Sequence, residues 1–428
     1  GALYAHLGAD PERVLDVVTE YLNAGFVKEA LALLERKYPE VDAVTAEPGA
    51  VRPQRHPMIA YYRGYCKELL GESSKADYMA AASMSTQYVF PSRAGSFAVL
   101  NAALKANPKD ATAHFLLGSL YMAGGMTEDA VRSWETARAI NPRIPVLHRN
   151  LGLTLMKVSG DMNRAVPVLR EGLTADPVNS ELYSKLGQAL SLMGRPATER
   201  VQVFQQYPDA AAMPAPLVYN LALALAEAQR FDEAERLFQG RFFPREEGGT
   251  NVRQVYLEVK LQRALAAAKA GKASEALSGI AALGKPVAGL DFTRDGMEPL
   301  MADTRVQTLI ADIEQRAGQA ASAEKRRRAL LTRSTRGRGA SSIYAYLAAK
   351  ALGDASQADL RSRICKPVEG DDNSLSVSNG IGLVTRGLTL RECGRGQDAR
   401  RALEAAIQAS DRNLSQYLAR EALASLPR

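Results

Sequence analysis

The chain has no run of about 18 apolar residues, so no membrane-spanning helix is expected. Aromatic residues make up only 6% of the 428 residues, with a single Trp, so an apolar share of 46% rests mostly on Ala and Leu. Those two residues favour helix. Cysteine is scarce too: Cys66, Cys365 and Cys393 are far apart and odd in number, which argues against a disulfide framework and leaves no C-x-x-C metal pair. They read as small buried hydrophobes in helical segments. The β-prone stretches are equally few. The best, Gln87-Tyr88-Val89-Phe90, is closed by Pro91 and reads as an extended linker.

Catalytic signatures are missing. There is no H-E-x-x-H, no G-x-S-x-G and no EF-hand loop. Gly279 to Lys285 matches G-x-x-x-x-G-K, but Pro286 stands where a magnesium-binding Ser or Thr is needed, and no strand precedes it. Gly380-Ile381-Gly382 lacks the third Gly of a dinucleotide fingerprint. The four histidines, His6, His56, His114 and His148, form no ligand spacing. No enzyme activity, metal or cofactor is expected. Basic residues exceed acidic ones by 54 to 47, a net charge of +7 that is mild for this length and does not by itself imply nucleic acid. The opening Gly1-Ala2-Leu3 has neither Met nor a basic region before an apolar run. It reads as a boundary within a longer protein, which leaves the native compartment open.

What the chain does have is a repeat. Counted from Ala111, residues His114, Leu117, Gly118, Tyr121, Ala130, Trp134, Ala137 and Pro142 hold places 4, 7, 8, 11, 20, 24, 27 and 32. Places 4, 7, 8 and 11 share one face of a 3.6-residue helix. Gly118 and Ala130 are small where two antiparallel helices must touch. Gly124-Gly125 supplies the turn, and Asn141-Pro142 ends the second helix. The result is an αα-hairpin of about 34 residues.

The grammar recurs at Pro145–Pro177, Ser180–Pro208 and Ala215–Pro244. It continues more weakly at Arg253–Gly284, Asp303–Thr332, Ser341–Cys365 and Leu383–Ser410, and upstream at Pro11–Pro39 and His56–Ser83. A helix at Ser92–Ala106 precedes the best repeat, and Leu414–Leu426 reads as an unpaired capping helix. These ten hairpins predict an all-α solenoid, an α–α superhelix. Residues 1–285 form the main array, most regular at 111–245. Residues 286–302 are either a connecting loop or a break in the superhelix. Residues 303–428 are degenerate hairpins with the cap.

The signature at 111–142 resembles the tetratricopeptide repeat, and the resemblance extends over most of the chain. It implies a non-catalytic scaffold that binds an extended peptide or protein segment. The stretch His56–Pro145 also resembles a region of long bacterial proteins, in which a β-rich N-terminal domain of unassigned function precedes such repeats.

With places 4, 7, 8 and 11 taken by packing, places 2, 5, 6, 9, 12 and 13 of each first helix should line an inner groove. The expected groove residues are Phe115, Leu116, Met122, Arg149, Asn150, Lys185, Gln188, Tyr219 and Asn220. Asn150 and Asn220 hold the same place 6. An amide there offers both a donor and an acceptor to a peptide unit, and the repeat resemblance implies that role. Arg149 and Lys185 could meet a carboxylate. Only part of the family's chaperone-tail clamp is present.

A second expectation concerns Lys325, Arg326, Arg327, Arg328, Arg333, Arg336 and Arg338, a run free of acidic residues. It has the charge of a polyanion or nucleic-acid patch but lacks interleaved stacking aromatics, so nucleic acid is the weaker expectation. The bland reading is a solvated helix face. A third reading is purely architectural, a module attached to a separate catalytic domain.

Overall fold

The computed structural model describes residues 7, 10–38, 51–144, 146–243, 251–294, 297–334, 341–368, 380–409 and 413–426. Among them there is no strand, and no helix is long and apolar enough to cross a membrane. Two compact units divide the chain, Gly1–Leu182 and Tyr183–Arg428.

The first unit holds α1 (Pro11–Asn23), α2 (Val27–Glu35), α3 (Pro57–Leu69), α4 (Lys75–Ser83), α5 (Ser96–Ala106), α6 (Ala111–Ala123), α7 (Thr127–Ile140), α8 (Leu147–Lys157) and α9 (Met162–Ala175). The division falls within α10 (Ser180–Leu192). The second unit continues with α11 (Ala197–Gln205), α12 (Ala215–Glu227), α13 (Phe231–Arg236), α14 (Val252–Lys269), α15 (Ala273–Ala282), α16 (Met297–Met301) and α17 (Thr304–Arg316). It ends with α18 (Ala320–Ser334), α19 (Ser341–Leu352), α20 (Gln357–Cys365), α21 (Gly380–Glu392), α22 (Gly396–Gln408) and α23 (Asn413–Ala424). Each of the ten expected hairpins corresponds to a pair of these helices. The chain is thus an all-α array of helical hairpins.

Local chemistry sets the helix ends. Asp10, Asp110, Asp161 and Asp303 each accept a main-chain N–H of the first turn, and Asn251 forms a full capping box with Gln254. The inter-helix turns use a left-handed residue. Gly125 takes that role in the best repeat with φ +76°, while Gln229 takes it between α12 and α13 with φ 58°.

The hairpins close by one recurring contact. Gly118 on α6 lies against Trp134 on α7, and a Cβ there would sit 2.6 Å from the indole. Gly152 meets Leu169 at the same 2.6 Å, and Gly387 meets Leu403 likewise. The absent side chain lets the helices approach, and the large residue of the second helix fills the gap. Trp134 is buried, and its Nε1 donates to the Phe115 carbonyl at 3.1 Å.

Residues 286–302 lie inside the second unit. They hold a short 3₁₀ turn (Asp291–Thr293) and α16. Phe292 packs with Phe238, Phe243 and Tyr256, with ring centroids 5.5–6.2 Å apart. The helices on either side, α14 and α15 before and α17 after, pack on one another.

A candidate peptide cavity and a filled inner face

In the first unit, α6 is anchored at its start. Asp110 is buried, accepts from Ala113 N at 2.9 Å, and receives the Tyr61 hydroxyl at 2.9 and 3.0 Å. Burial nonetheless pushes its carboxyl above the usual range. The first half of α6 is covered by neighbours. Thr112 donates to the Ala82 carbonyl of α4 at 2.9 Å, and α4, α5 and α7 all pack on this helix.

Phe115 and Leu116, expected in the groove, are therefore core residues, 2% and 0% exposed. The second half of α6 stays open. Ser119 and Met122, with Asn150 and Leu153 of α8, line a cavity of about 460 Å³. Trp134 and Thr154 also line it, and Phe90, Pro91 and Ser92 join from the linker before α5. That linker forms no strand, as the sequence predicts, but it turns at Gln87-Tyr88, where Tyr88 is left-handed with φ 60°, instead of running extended.

Asn150 is the one side-chain amide of this cavity, beside the hydroxyls of Ser92, Ser119 and Thr154. Its Oδ1 receives the Arg149 guanidinium weakly, at 3.3 and 3.4 Å, and Arg149 also pairs with Glu181 at 3.2 Å. Among the described residues no partner holds Asn150 Nδ2. The cavity thus offers an amide donor beside the apolar surfaces of Met122 and Leu153, with the exposed Phe90 at its edge.

In the second unit the expected groove residues are occupied by the chain itself. Gln188 is buried and donates to the Ile407 carbonyl at 2.5 Å. Asn220 Oδ1 receives Asn413 Nδ2 at 2.7 Å, and its own Nδ2 reaches Ser184 Oγ at 3.3 Å. Tyr219 is fully buried and stacks on Phe243 at 5.9 Å. Lys185 is half-buried and engaged. The reason is that α22 returns onto Gln188 and the start of α23 onto the half-buried Asn220, while Phe243 stacks on Tyr219.

The basic cluster is largely paired. Arg326 bonds Glu314 at 2.7 and 3.0 Å, which holds the Glu314 carboxyl below its usual range although burial opposes this. Arg327 is buried and meets Asp312 at 2.9 Å, and Arg328 meets Glu324 at 2.7 Å. Lys325 is exposed. Arg333 lies in α18, while Arg336 and Arg338 lie outside the described residues. The acidic partners come from before the run, so a count within the run misses them.

Two features escaped the sequence. Cys365 and Cys393 form a disulfide with Cα atoms 5.6 Å apart, which corrects the reading of both as unpaired. They are 28 residues apart, and only the fold brings the last residue of α20 beside the turn that follows α21. Cys66 is the free, buried thiol, pushed by burial up to about 12. The second feature is Glu258, fully buried in the middle of α14 and paired with Arg305 at 2.6 Å. The Gly279–Lys285 motif is a helix end and not a phosphate loop: Gly279 faces Ala264 within the hairpin, α15 stops at Ala282, and Gly284 is left-handed with φ 77°. No group of three or more His, Cys, Asp or Glu able to hold a metal occurs among the described residues.

No family model and no curated protein matches the sequence. Solved structures match in fold. The MamA protein is 19% identical over 42% of this chain and 87% of its own, with a TM-score of 0.29. A tetratricopeptide repeat protein from Parabacteroides merdae is 13% identical over 78% of this chain and 98% of its own, with a TM-score of 0.33. Naa15/Naa10 bound to HypK-THB is 13% identical over 93% of this chain and 63% of its own, with a TM-score of 0.31. These likenesses concern the fold alone. They lend no support to a β-rich domain ahead of the repeats.

Proposed function

We propose that the chain is a non-catalytic interaction scaffold whose first unit holds a peptide segment of a protein partner in the cavity between α6 and α8. The observation that carries this reading is Asn150. Its Nδ2 is without a partner among the described residues, beside a space of about 460 Å³ whose walls include Met122, Trp134 and Leu153. That size suits one or two peptide side chains. Asn150 would hold a main-chain carbonyl whatever the sequence, while Met122, Leu153 and Phe90 would select an apolar side chain. Affinity would come from these few anchors, not from the whole surface.

Selection of random displayed peptides on the full chain tests this, with counter-selection on Leu153→Glu. Enriched peptides should carry an apolar residue and lose binding to Leu153→Glu and Asn150→Ala, with helix content unchanged. Peptides that bind the variants equally, or a collapse of helicity in Asn150→Ala, would remove the reading.

The polyanion alternative draws less support, because Arg326, Arg327 and Arg328 already face carboxylates. An architectural role attached to a separate catalytic domain fits the same fold, but no specific observation favours it.

A further inference from the structure

A second cavity lies within the second unit, where α14, α16, α17, α19, α21 and α23 meet. Its volume is about 280 Å³, close to the lower end of small-molecule pockets at about 300 Å³. Leu257, Leu300, Val384 and Leu418 supply apolar wall, and the partly exposed Ile381 also lines it. Polar side chains share the lining, above all Tyr344, Arg305 and Asp303.

Two of these groups are donors with capacity to spare. Tyr344 is only 8% exposed, and its hydroxyl has no hydrogen-bond partner among the described residues. Burial pushes that phenol up to about 12, so it keeps its proton and donates. Arg305 gives Nη2 to Glu258 at 2.6 Å, while its Nε and Nη1 have no partner among the described residues. Buried donors without an acceptor are costly. Charge decides which acceptor fits. The fully buried Glu258 already balances Arg305, and Asp303, which caps α17 through Oδ1, adds a second carboxylate to the lining. These three charges sum to an excess of negative charge, which opposes a carboxylate ligand. A neutral carbonyl oxygen serves both donors without that repulsion.

We propose that this cavity binds a small neutral carbonyl compound, an amide or ester carrying an aliphatic chain. The carbonyl oxygen accepts from the Tyr344 hydroxyl and the spare Arg305 N–H groups. The chain lies against Leu257, Leu300, Val384 and Leu418. The site is separate from the peptide cavity of the first unit, and failure of either leaves the other standing.

Ligand-observed NMR titration of the full chain tests this, with octanamide and octanoate as probes. They share one chain length and differ in the charge of the head. Octanamide should saturate a single site, and octanoate should bind at least tenfold more weakly. Tyr344→Phe keeps the ring and removes the hydroxyl. It should weaken octanamide at least fivefold at unchanged helix content. Ile381→Trp, at a partly exposed position of the lining, should block the cavity and abolish binding without touching the donors. Absence of saturable octanamide binding would show that the cavity holds water alone. That result would overturn the proposal. So would octanoate binding as tightly as octanamide, or octanamide binding both variants as tightly as wild type.

Discussion

Gln188 donates its side-chain amide to the main-chain carbonyl of Ile407, 219 residues further along, at 2.5 Å and out of contact with water. This bond ties α10 to α22. Gln188→Ala should leave the Ile407 carbonyl without its partner and cost about 1–3 kcal/mol. Urea denaturation measures the loss, and hydrogen exchange should place it in 396–424 more than in α14. An unchanged midpoint would mean that the bond is not held in solution.

Gly118 should not tolerate even a methyl group. An added Cβ would lie 2.6 Å from the Trp134 ring and 3.1 Å from the Ala130 carbonyl. Forcing the helices apart costs about 1–3 kcal/mol. Gly118→Ala should lower the unfolding midpoint and shift the emission of Trp134, the chain's one tryptophan. A shift without destabilisation would mean that the indole swings aside freely.

The Cys365–Cys393 bridge should stabilise the end of the second unit. Closing a segment of 28 residues limits the unfolded chain by about 3–4 kcal/mol. Reductant should lower the thermal midpoint of the wild type and leave Cys365→Ala/Cys393→Ala unmoved. Mass spectrometry under non-reducing conditions should find the bridge in protein made in an oxidising compartment.

His148 predicts a pH dependence. It is buried, and burial pushes its pKa below the ordinary 6.5, although Glu171 at 3.9 Å pulls the other way. The folded state therefore binds fewer protons than the unfolded one. Stability should be full above about 6.5, fall as pH drops below it, and level off below the folded value. Denaturation of wild type and His148→Gln between pH 5 and 8 checks this. The wild type should lose stability toward pH 5 more steeply than the variant.

The repeat was legible because its determinants are local. Gly118, Trp134, Ala130 and Pro142 act within one hairpin, and their spacing is the structure. Gln229 shows the limit, filling a left-handed turn with no Gly to mark it. The groove was only half legible. Ser119, Met122, Asn150 and Leu153 do share a cavity. Helical phase alone could not show that α4 and α5 would cover Phe115 and Leu116. Nor could it show that α22 and α23 would return onto Gln188 and Asn220. The disulfide and the Glu258–Arg305 pair depend on the same long-range approach, and spacing does not encode it.

The account turns on the Asn150 cavity, and calorimetric titration of a display-selected peptide tests it most directly. Wild type should bind saturably at one site, with Trp134 emission changing in parallel. Asn150→Ala should bind at least tenfold more weakly at unchanged helix content. Equal affinity for the two proteins, with Trp134 silent, would contradict the claim that this cavity receives the partner.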